Sequence, residues 1–500
     1  MDTPEKKIFF SPSLQKNFLF VWLKKKKAYL IYVLLAIIAG FGFYIRTLNV
    51  PFLIDATSGK YIPADPDAVL LLRYVEYVVE HGQLMAVDYM RYSPFGFSNL
   101  EEFQVLTHLI AGFYKIFHFF IPSISVAYVH VVFPAFAFVI ALIFFFLLVR
   151  KVFDWKVALL ASAFLSVLPM YLTRSISGFS DKEAMAMMFF FLTLYLFLSF
   201  VLEQKYFRSF LYVLGAALSG SILWFLWGGF IFVFLTIGGF FFFLILSERI
   251  SFQKQCLNII FFIIPLFLLK IYYPDRYDFF GLLMTPAIGL LFFSLFLGFL
   301  HYFLFQKDIF KVREKIPFPP SFLTVFITLF MGFALLSIYY GPTVFFDRMA
   351  YVFVDLIDPF TGSRWSLTVS ENLKPYAHDW LSYFGWEYLS LVFIGGVILF
   401  YETFKGLGKK VSILTFFYGL MLLAVFFSRY SSASLLDGKT IYSYFLYLGS
   451  LLFFFLTLIF VFTWHYRKDR QAYTSFLQSI PLAYVFILVF FLFLFLGGRS

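Results

Sequence analysis

The 500-residue chain is 62% hydrophobic and only 13% charged, with a formal net charge of +11. A soluble domain needs about 25% charged residues to cover its surface, so the composition excludes a soluble fold and points to an all-α polytopic membrane protein. The basic excess is not read as a nucleic-acid footprint, because Lys and Arg gather in the loops between apolar runs, as cytoplasmic segments of membrane proteins do. Cys256 is the only cysteine, so no intrachain disulfide and no Cys-based metal site is possible.

Residues 1–27 read as a cytoplasmic N-terminal segment. Lys24 to Lys27 precede a first apolar run that ends at Tyr44, with no small-residue cleavage site after it, so that run is taken as a retained span and not a signal peptide. Apolar runs near 28–45, 124–149, 157–173, 183–203, 207–224, 228–246, 257–272, 281–304, 321–340, 384–403, 411–428, 440–463 and 477–496 make thirteen predicted spans, most of them close to the roughly 20 residues that cross a bilayer as a helix. The run 103–121 is also apolar, but it carries His108, Lys115 and His118 and is followed by Pro122. Counting it as a span would put Arg150, Lys151 and Lys156 outside and invert every later loop. It is therefore assigned to an interfacial or protein-buried helix.

With the N-terminus inside, 24 of the 39 Lys and Arg fall on the inner side, the bias expected of a cell-membrane protein in this orientation. Residues 28–496 then form one transmembrane domain with two long outer segments, 46–123 and 341–383. Loops of that length in a compact protein are usually functional. The centres of the spans are almost free of charge, whereas ion-coupled transporters bury ionisable groups near the midplane. The acids collect at the outer surface, and chemistry is expected there.

Four constellations stand out. In Ala64-Asp65-Pro66-Asp67, Asp then Pro ahead of an apolar run closed by Gly82 predicts an N-capped helix. Asp65 reads either as that cap alone or as a carboxylate for a hard divalent cation. In Arg174-Ser-Ile-Ser-Gly178-Phe-Ser-Asp181-Lys-Glu183, Asp181 and Glu183 stand two apart, a spacing that lets both reach one ion in a turn. Arg174 lies seven residues before Asp181 and could bind phosphate. The plainer reading is a solvated loop capping the next helix. Thr368-Val369-Ser370-Glu371 lies in the second outer segment, where a lone Glu is ordinarily solvated. Arg429 follows the eleventh predicted span on the outer side, and its planar fork suits a phosphate. Trp227, Gly228 and Gly229 mark an outer break between the fifth and sixth spans.

The order and spacing of these motifs resembles the catalytic subunit of oligosaccharyltransferase, a membrane glycosyltransferase of the GT-C class, over about residues 28 to 496. Asp65-Pro66 looks like the family's first acidic motif, Arg174 to Glu183 like its second and Thr368 to Glu371 like its third. Trp227-Gly-Gly229 and Arg429 fall where the family has a Trp-Gly-Gly and a pyrophosphate-binding Arg. The resemblance implies transfer of an oligosaccharide from a lipid-linked phosphate or pyrophosphate carrier, dolichyl or polyprenyl, to Asn in Asn-x-Ser/Thr. It implies Mg²⁺ or Mn²⁺ on Asp65, Asp181 and Glu183, catalytic contact of Asp65 and Glu371 with the acceptor amide, phosphate binding by Arg429 and Arg174, and inversion at the sugar. The family also carries a large outer domain after the last span, with a Trp-Trp-Asp motif that reads the acceptor Ser/Thr. No Trp-Trp pair occurs in this sequence, which ends at Ser500. The expectation is a chain with no C-terminal soluble domain, for which three explanations stand open: a separate polypeptide supplies it, the sequence is truncated, or the enzyme uses another acceptor. The alternatives are a GT-C transferase with a lipid or hydroxyl acceptor, and a lipid-carrier transporter.

Overall fold

The computed structural model describes residues 12–100, 102–309, 316–343, 346, 350 and 375–498, with the side chains of 12–28, 339 and 340 excepted. The architecture is helical throughout apart from one two-residue hairpin, Val87–Asp88 against Phe97–Ser98, among the described residues. The chain divides into two compact units, Met1–Ser199 with Leu218–Gly228, and Phe200–Ala217 with Gly229–Ser500.

The first unit is built on α1 (Pro12–Thr47), α4 (Val126–Val152) and α5 (Trp155–Val167), which pack on one another. Ile31, Leu35 and Ala39 recur at helical spacing and form the buried seam of α1 against Phe138, Leu142, Phe146, Ala158 and Leu159. At Gly42 a Cβ would come within 2.4 Å of the Phe138 ring, so glycine permits the close approach. The seam ends at Arg46, which is 0% exposed. Inside a bilayer such contacts hold through dispersion and hydrogen bonding, since hydrocarbon gives helices no solvent-exclusion drive to associate.

Between α1 and α4 the chain makes α2 (Pro66–His81) and α3 (Val105–Phe120), which pack together and on α4. The α3 helix is the 103–121 run. It is too short for a span, and His108, Lys115 and His118 are exposed. Below α2, Arg73 Nη1 donates to Asp88 Oδ1 at 2.9 Å, Arg73 Nη2 bonds Asp88 Oδ2, and Tyr74 Oη donates to the same carboxylate at 3.0 Å. Arg73 holds the Asp88 carboxyl at about 2. An ordinary Asp titrates near 3.9, so the pair contributes stability in full above about pH 4 and loses it as pH falls through about 2. Asp88→Asn is expected to lower unfolding stability by about 2 kcal/mol at neutral pH and to flatten its acid dependence between pH 4 and 2. Equal acid profiles for both proteins would contradict that.

The second unit is centred on the helix Phe230–Leu246, which packs against Pro286–His301, Pro320–Tyr340 and Leu482–Gly497. A second group joins Ala377–Phe404, Lys409–Phe427 and Ser450–Lys468.

Helices occupy all thirteen predicted spans, but not every run is one continuous helix. Ten helices among the described residues are long and apolar enough to cross a membrane, and an eleventh counts if a bent pair is one span. Trp155–Val167 and Phe230–Leu246 are shorter apolar helices. The expected span 157–173 breaks at Leu168, whose backbone is extended before Pro169, because proline disfavours the helical region in the residue ahead of it. The expected span 477–496 is the helix Leu482–Gly497. Pro481 separates it from Arg470–Ser479 by a 78° bend. In Ala377–Phe404 the helix kinks at Gly385, with φ 74°.

Candidate active site

The first acidic motif is where the sequence puts it. Asp65 caps α2, its Oδ2 accepting from the Asp67 and Ala68 amides at 3.0 and 3.3 Å. Pro66 follows at the first helical position, where its missing N–H costs nothing. Capping uses one oxygen of a half-buried carboxylate.

The second motif is the turn between α6 (Pro169–Thr173) and α7 (Lys182–Leu202). Its backbone is fixed from four sides. Ser177 N donates to Arg46 O at 2.9 Å, Asn49 Nδ2 donates to Ser177 O at 2.7 Å, Gly178 N donates to Val131 O at 2.8 Å, and Ala64 N donates to Gly178 O at 3.0 Å. The last bond ties this turn to the residue beside Asp65. Arg46 adds a bond from Nε to Ser175 Oγ at 2.8 Å and bonds from Nη1 to Ser166 O and Gly42 O, with its guanidinium 3.4 Å from the Phe138 ring centroid.

Gly178 sits at φ +89°, and a Cβ there would lie 2.7 Å from Leu53 Cδ1 and 3.3 Å from Ala64 N. Gly178→Ala is expected to cost about 1–3 kcal/mol, read as a lower melting temperature of the purified protein. An unchanged melting temperature would contradict the tight approach.

Asp181 is buried and Glu183 half-buried. Asp181 Oδ1 accepts from the Lys182 amide at 2.6 Å. The two carboxyl groups lie within interaction reach of one another, and Glu183 Oε2 is buried with no hydrogen-bond partner. Two carboxylates this close in a poorly hydrated place need a proton or a cation between them. The donor set, hard oxygens with one unspent, fits a hard divalent cation. Among the described residues no three of His, Cys, Asp and Glu are gathered into a ligating group. The structure thus brings Asp181 and Glu183 together, and ties their turn to Ala64, the neighbour of Asp65, without closing a three-acid set. Arg174 lies with its guanidinium 5.1 Å from the Phe179 ring centroid. Trp227 is half-buried and tilts against Phe190 at 6.4 Å. Thr368 and Glu371 lie outside the described residues.

In the second unit Arg429 is 2% exposed. It stands in an isolated bridge with Asp437, and its guanidinium lies 4.9 Å from the Tyr376 ring centroid. Ala377 N donates to Arg429 O at 2.8 Å, so the Arg is tied to the start of the Ala377–Phe404 helix. Gly438, at φ +89°, lets its backbone press against the Arg stem, where a Cβ would sit 3.0 Å from Cγ. Burial pulls the Arg429 pKa below the ordinary guanidinium value, while Tyr376, Asp379 and Asp437 push it back. The result is a pre-set, always charged fork. Sequence reasoning singled out Arg429 and did not name Tyr376, Asp437 or Gly438, which surround it. It also missed Arg46 and His130, whose only local signal is an ionisable group in an apolar run.

The fold is that of a polytopic helical membrane protein of the GT-C type. A sequence model of the family described as oligosaccharyl transferase STT3, N-terminal, matches residues 29–363, and the chain belongs to that family. No curated protein matches it. Among solved structures, the archaeal oligosaccharyltransferase AglB from Archaeoglobus fulgidus, in complex with an inhibitory peptide and a dolichol-phosphate, aligns with a TM-score of 0.54 at 18% identity, covering 91% of this chain and 50% of that one. The apo form of the Archaeoglobus fulgidus enzyme aligns at 0.57 and 19%, covering 92% and 56%. Its complex with Zn and sulfate aligns at 0.53 and 17%, covering 91% and 52%. The chain therefore spans about half the length of these solved relatives, and the likeness is one of fold.

Proposed function

We propose that this chain is the catalytic core of an oligosaccharyltransferase. It moves an oligosaccharide from a lipid-linked phosphate or pyrophosphate carrier to the side-chain nitrogen of Asn in Asn-x-Ser/Thr, on the outer face of a cell membrane. The observation that carries this reading is the Asp181–Glu183 pair, set in a turn bonded to the Asp65 helix, in a chain of the STT3 family. The solved Archaeoglobus fulgidus enzyme has been captured with a dolichol-phosphate and an inhibitory peptide, and tethered to an acceptor peptide containing an NVT sequon. Both kinds of ligand are those the reading requires.

An amide nitrogen is a weak nucleophile because its lone pair is delocalised into the carbonyl. Asp65 and Glu371 accept the two amide hydrogens, orienting the nitrogen and weakening that conjugation. The nitrogen attacks the anomeric carbon in line. The C–N bond forms as the bond from carbon to phosphate oxygen breaks, the electron pair leaves with the phosphate, the amide proton passes to a carboxylate, and the configuration inverts. Mg²⁺ or Mn²⁺ held by Asp65, Asp181 and Glu183 would supply positive charge to the leaving phosphate. Arg429 binds the carrier phosphate through its fork, and Arg174 supports phosphate binding. Thr368 belongs to the Glu371 motif, and Trp227 to the Trp-Gly-Gly motif of the family. By the family resemblance, the acceptor Ser/Thr is read by a further domain or a separate chain. Residues 46–123 and 341–383 are read as the two outer segments of the 28–496 membrane domain.

The test offers membranes containing the chain a lipid-linked oligosaccharide with an Asn-x-Thr peptide, a Gln-x-Thr peptide or a hydroxyl acceptor. Glycan on the Asn peptide alone is expected. Glycan on the hydroxyl acceptor with none on Asn would overturn the reading in favour of a different GT-C transferase.

A further inference from the structure

The two acidic motifs are separated by more than 100 residues, and one turn of α4 holds both. His130 is 0% exposed. Its Nε2 lies 3.0 Å from Ala68 O. A carbonyl can only accept, so Nε2 carries the proton and donates to the first turn of the helix that Asp65 caps. The main chain of the same residue faces the other motif. Pro134 stands four residues on and has no N–H to give to His130 O. Ser180 Oγ donates to that freed carbonyl instead. One residue further, Val131 O receives Gly178 N at 2.8 Å. A buried ionisable side chain and the main chain of His130 and Val131, one turn before a proline that opens the helix ladder, are thus bonded to Ala68, Ser180 and Gly178 within two residues of chain.

We propose that His130 is a positioning residue that fixes the Asp65 helix against the Asp181–Glu183 turn, with Pro134 releasing the carbonyl that the turn needs. The device sets the separation of the carboxylates for a divalent cation, and so rests on the metal reading above. It predicts that the ring donor matters more than ring shape. Gln, whose side-chain amide reaches about as far as Nε2, replaces His130, and Leu does not. Groups that hold a metal ligand in place, without touching the metal, typically carry 10–100-fold in affinity.

The experiment is Mn²⁺ titration of the purified full chain in nanodiscs, followed by electron paramagnetic resonance, on wild type, His130→Leu, His130→Gln, Ser180→Ala and Asp181→Ala, with melting temperature recorded for each. The expected result is affinity about tenfold weaker in His130→Leu and within about threefold of wild type in His130→Gln. Ser180→Ala shifts in the same direction as His130→Leu and keeps the test open should the Leu variant not fold. Wild-type affinity in folded His130→Leu, or in Ser180→Ala if the Leu variant is unfolded, overturns the positioning role alone, provided Asp181→Ala abolishes binding. Failure of wild type to bind Mn²⁺ overturns the metal reading, and this inference with it.

Discussion

Asp181→Ala is expected to lower glycan transfer by at least 10²–10³-fold, the size of effect seen when one electrostatic stabiliser of a developing charge is removed. Asp181 is buried against Glu183, so removing it discards both a hard oxygen ligand and the reason for the pair. Asp65 separates two roles that Asp181 does not. Its carboxylate caps α2 through the Asp67 and Ala68 amides, a bond worth about 0.5–2 kcal/mol of stability. Asp65→Asn keeps a capping oxygen and removes the charge. It should therefore leave the melting temperature near that of wild type while activity falls as far as in Asp181→Ala. Parallel loss of stability and activity in Asp65→Asn would mean that the residue is a cap and nothing more. Initial rates at saturating donor, together with thermal unfolding, make the comparison.

Arg429→Ala is expected to reduce kcat/KM for the lipid-linked donor by about 10²-fold or more, because the proposed bidentate charged contact to phosphate would be lost from a buried position. Arg429→Lys should recover only part of this. Lysine carries the charge as a point and cannot reproduce the fork, and the site that shapes the Arg, with Tyr376 at 4.9 Å and Gly438 against the stem, fits a planar group. Steady-state kinetics against donor concentration separate the outcomes. A full recovery by Lys would reduce Arg429 to a general positive charge.

The membrane class and the helix positions were legible because a bilayer imposes length and charge rules on single segments. The local structure around the candidate acids was legible too, since Asp65, Asp181 and Glu183 sit beside local signals: an Asp-Pro helix start, a glycine turn and a helix start. What holds them was not. Arg46 reaches Ser175 across 129 residues and His130 reaches Ala68 across 62. No periodicity or spacing rule carries information over such separations. Pro134 shows the limit from the other side. Its presence in an apolar run was plain, but which group would take the carbonyl it frees depends on Ser180, fifty residues away. The breaks at Leu168 and at Pro481 were readable as proline chemistry. They were passed over because the apolar runs continue through them.

Metal-dependent transfer to Asn is the point on which all of these assignments converge. Membranes containing the chain are stripped with EDTA and supplied with lipid-linked oligosaccharide, an Asn-x-Thr peptide and any acceptor-reading partner, and the glycopeptide is quantified by mass spectrometry with and without added Mn²⁺ or Mg²⁺. The proposed metal role of Asp65, Asp181 and Glu183 predicts glycopeptide only when the cation is restored, and none in Asp181→Ala at any cation concentration. Glycopeptide formed at the same rate in EDTA, or at the wild-type rate by Asp181→Ala, would contradict it.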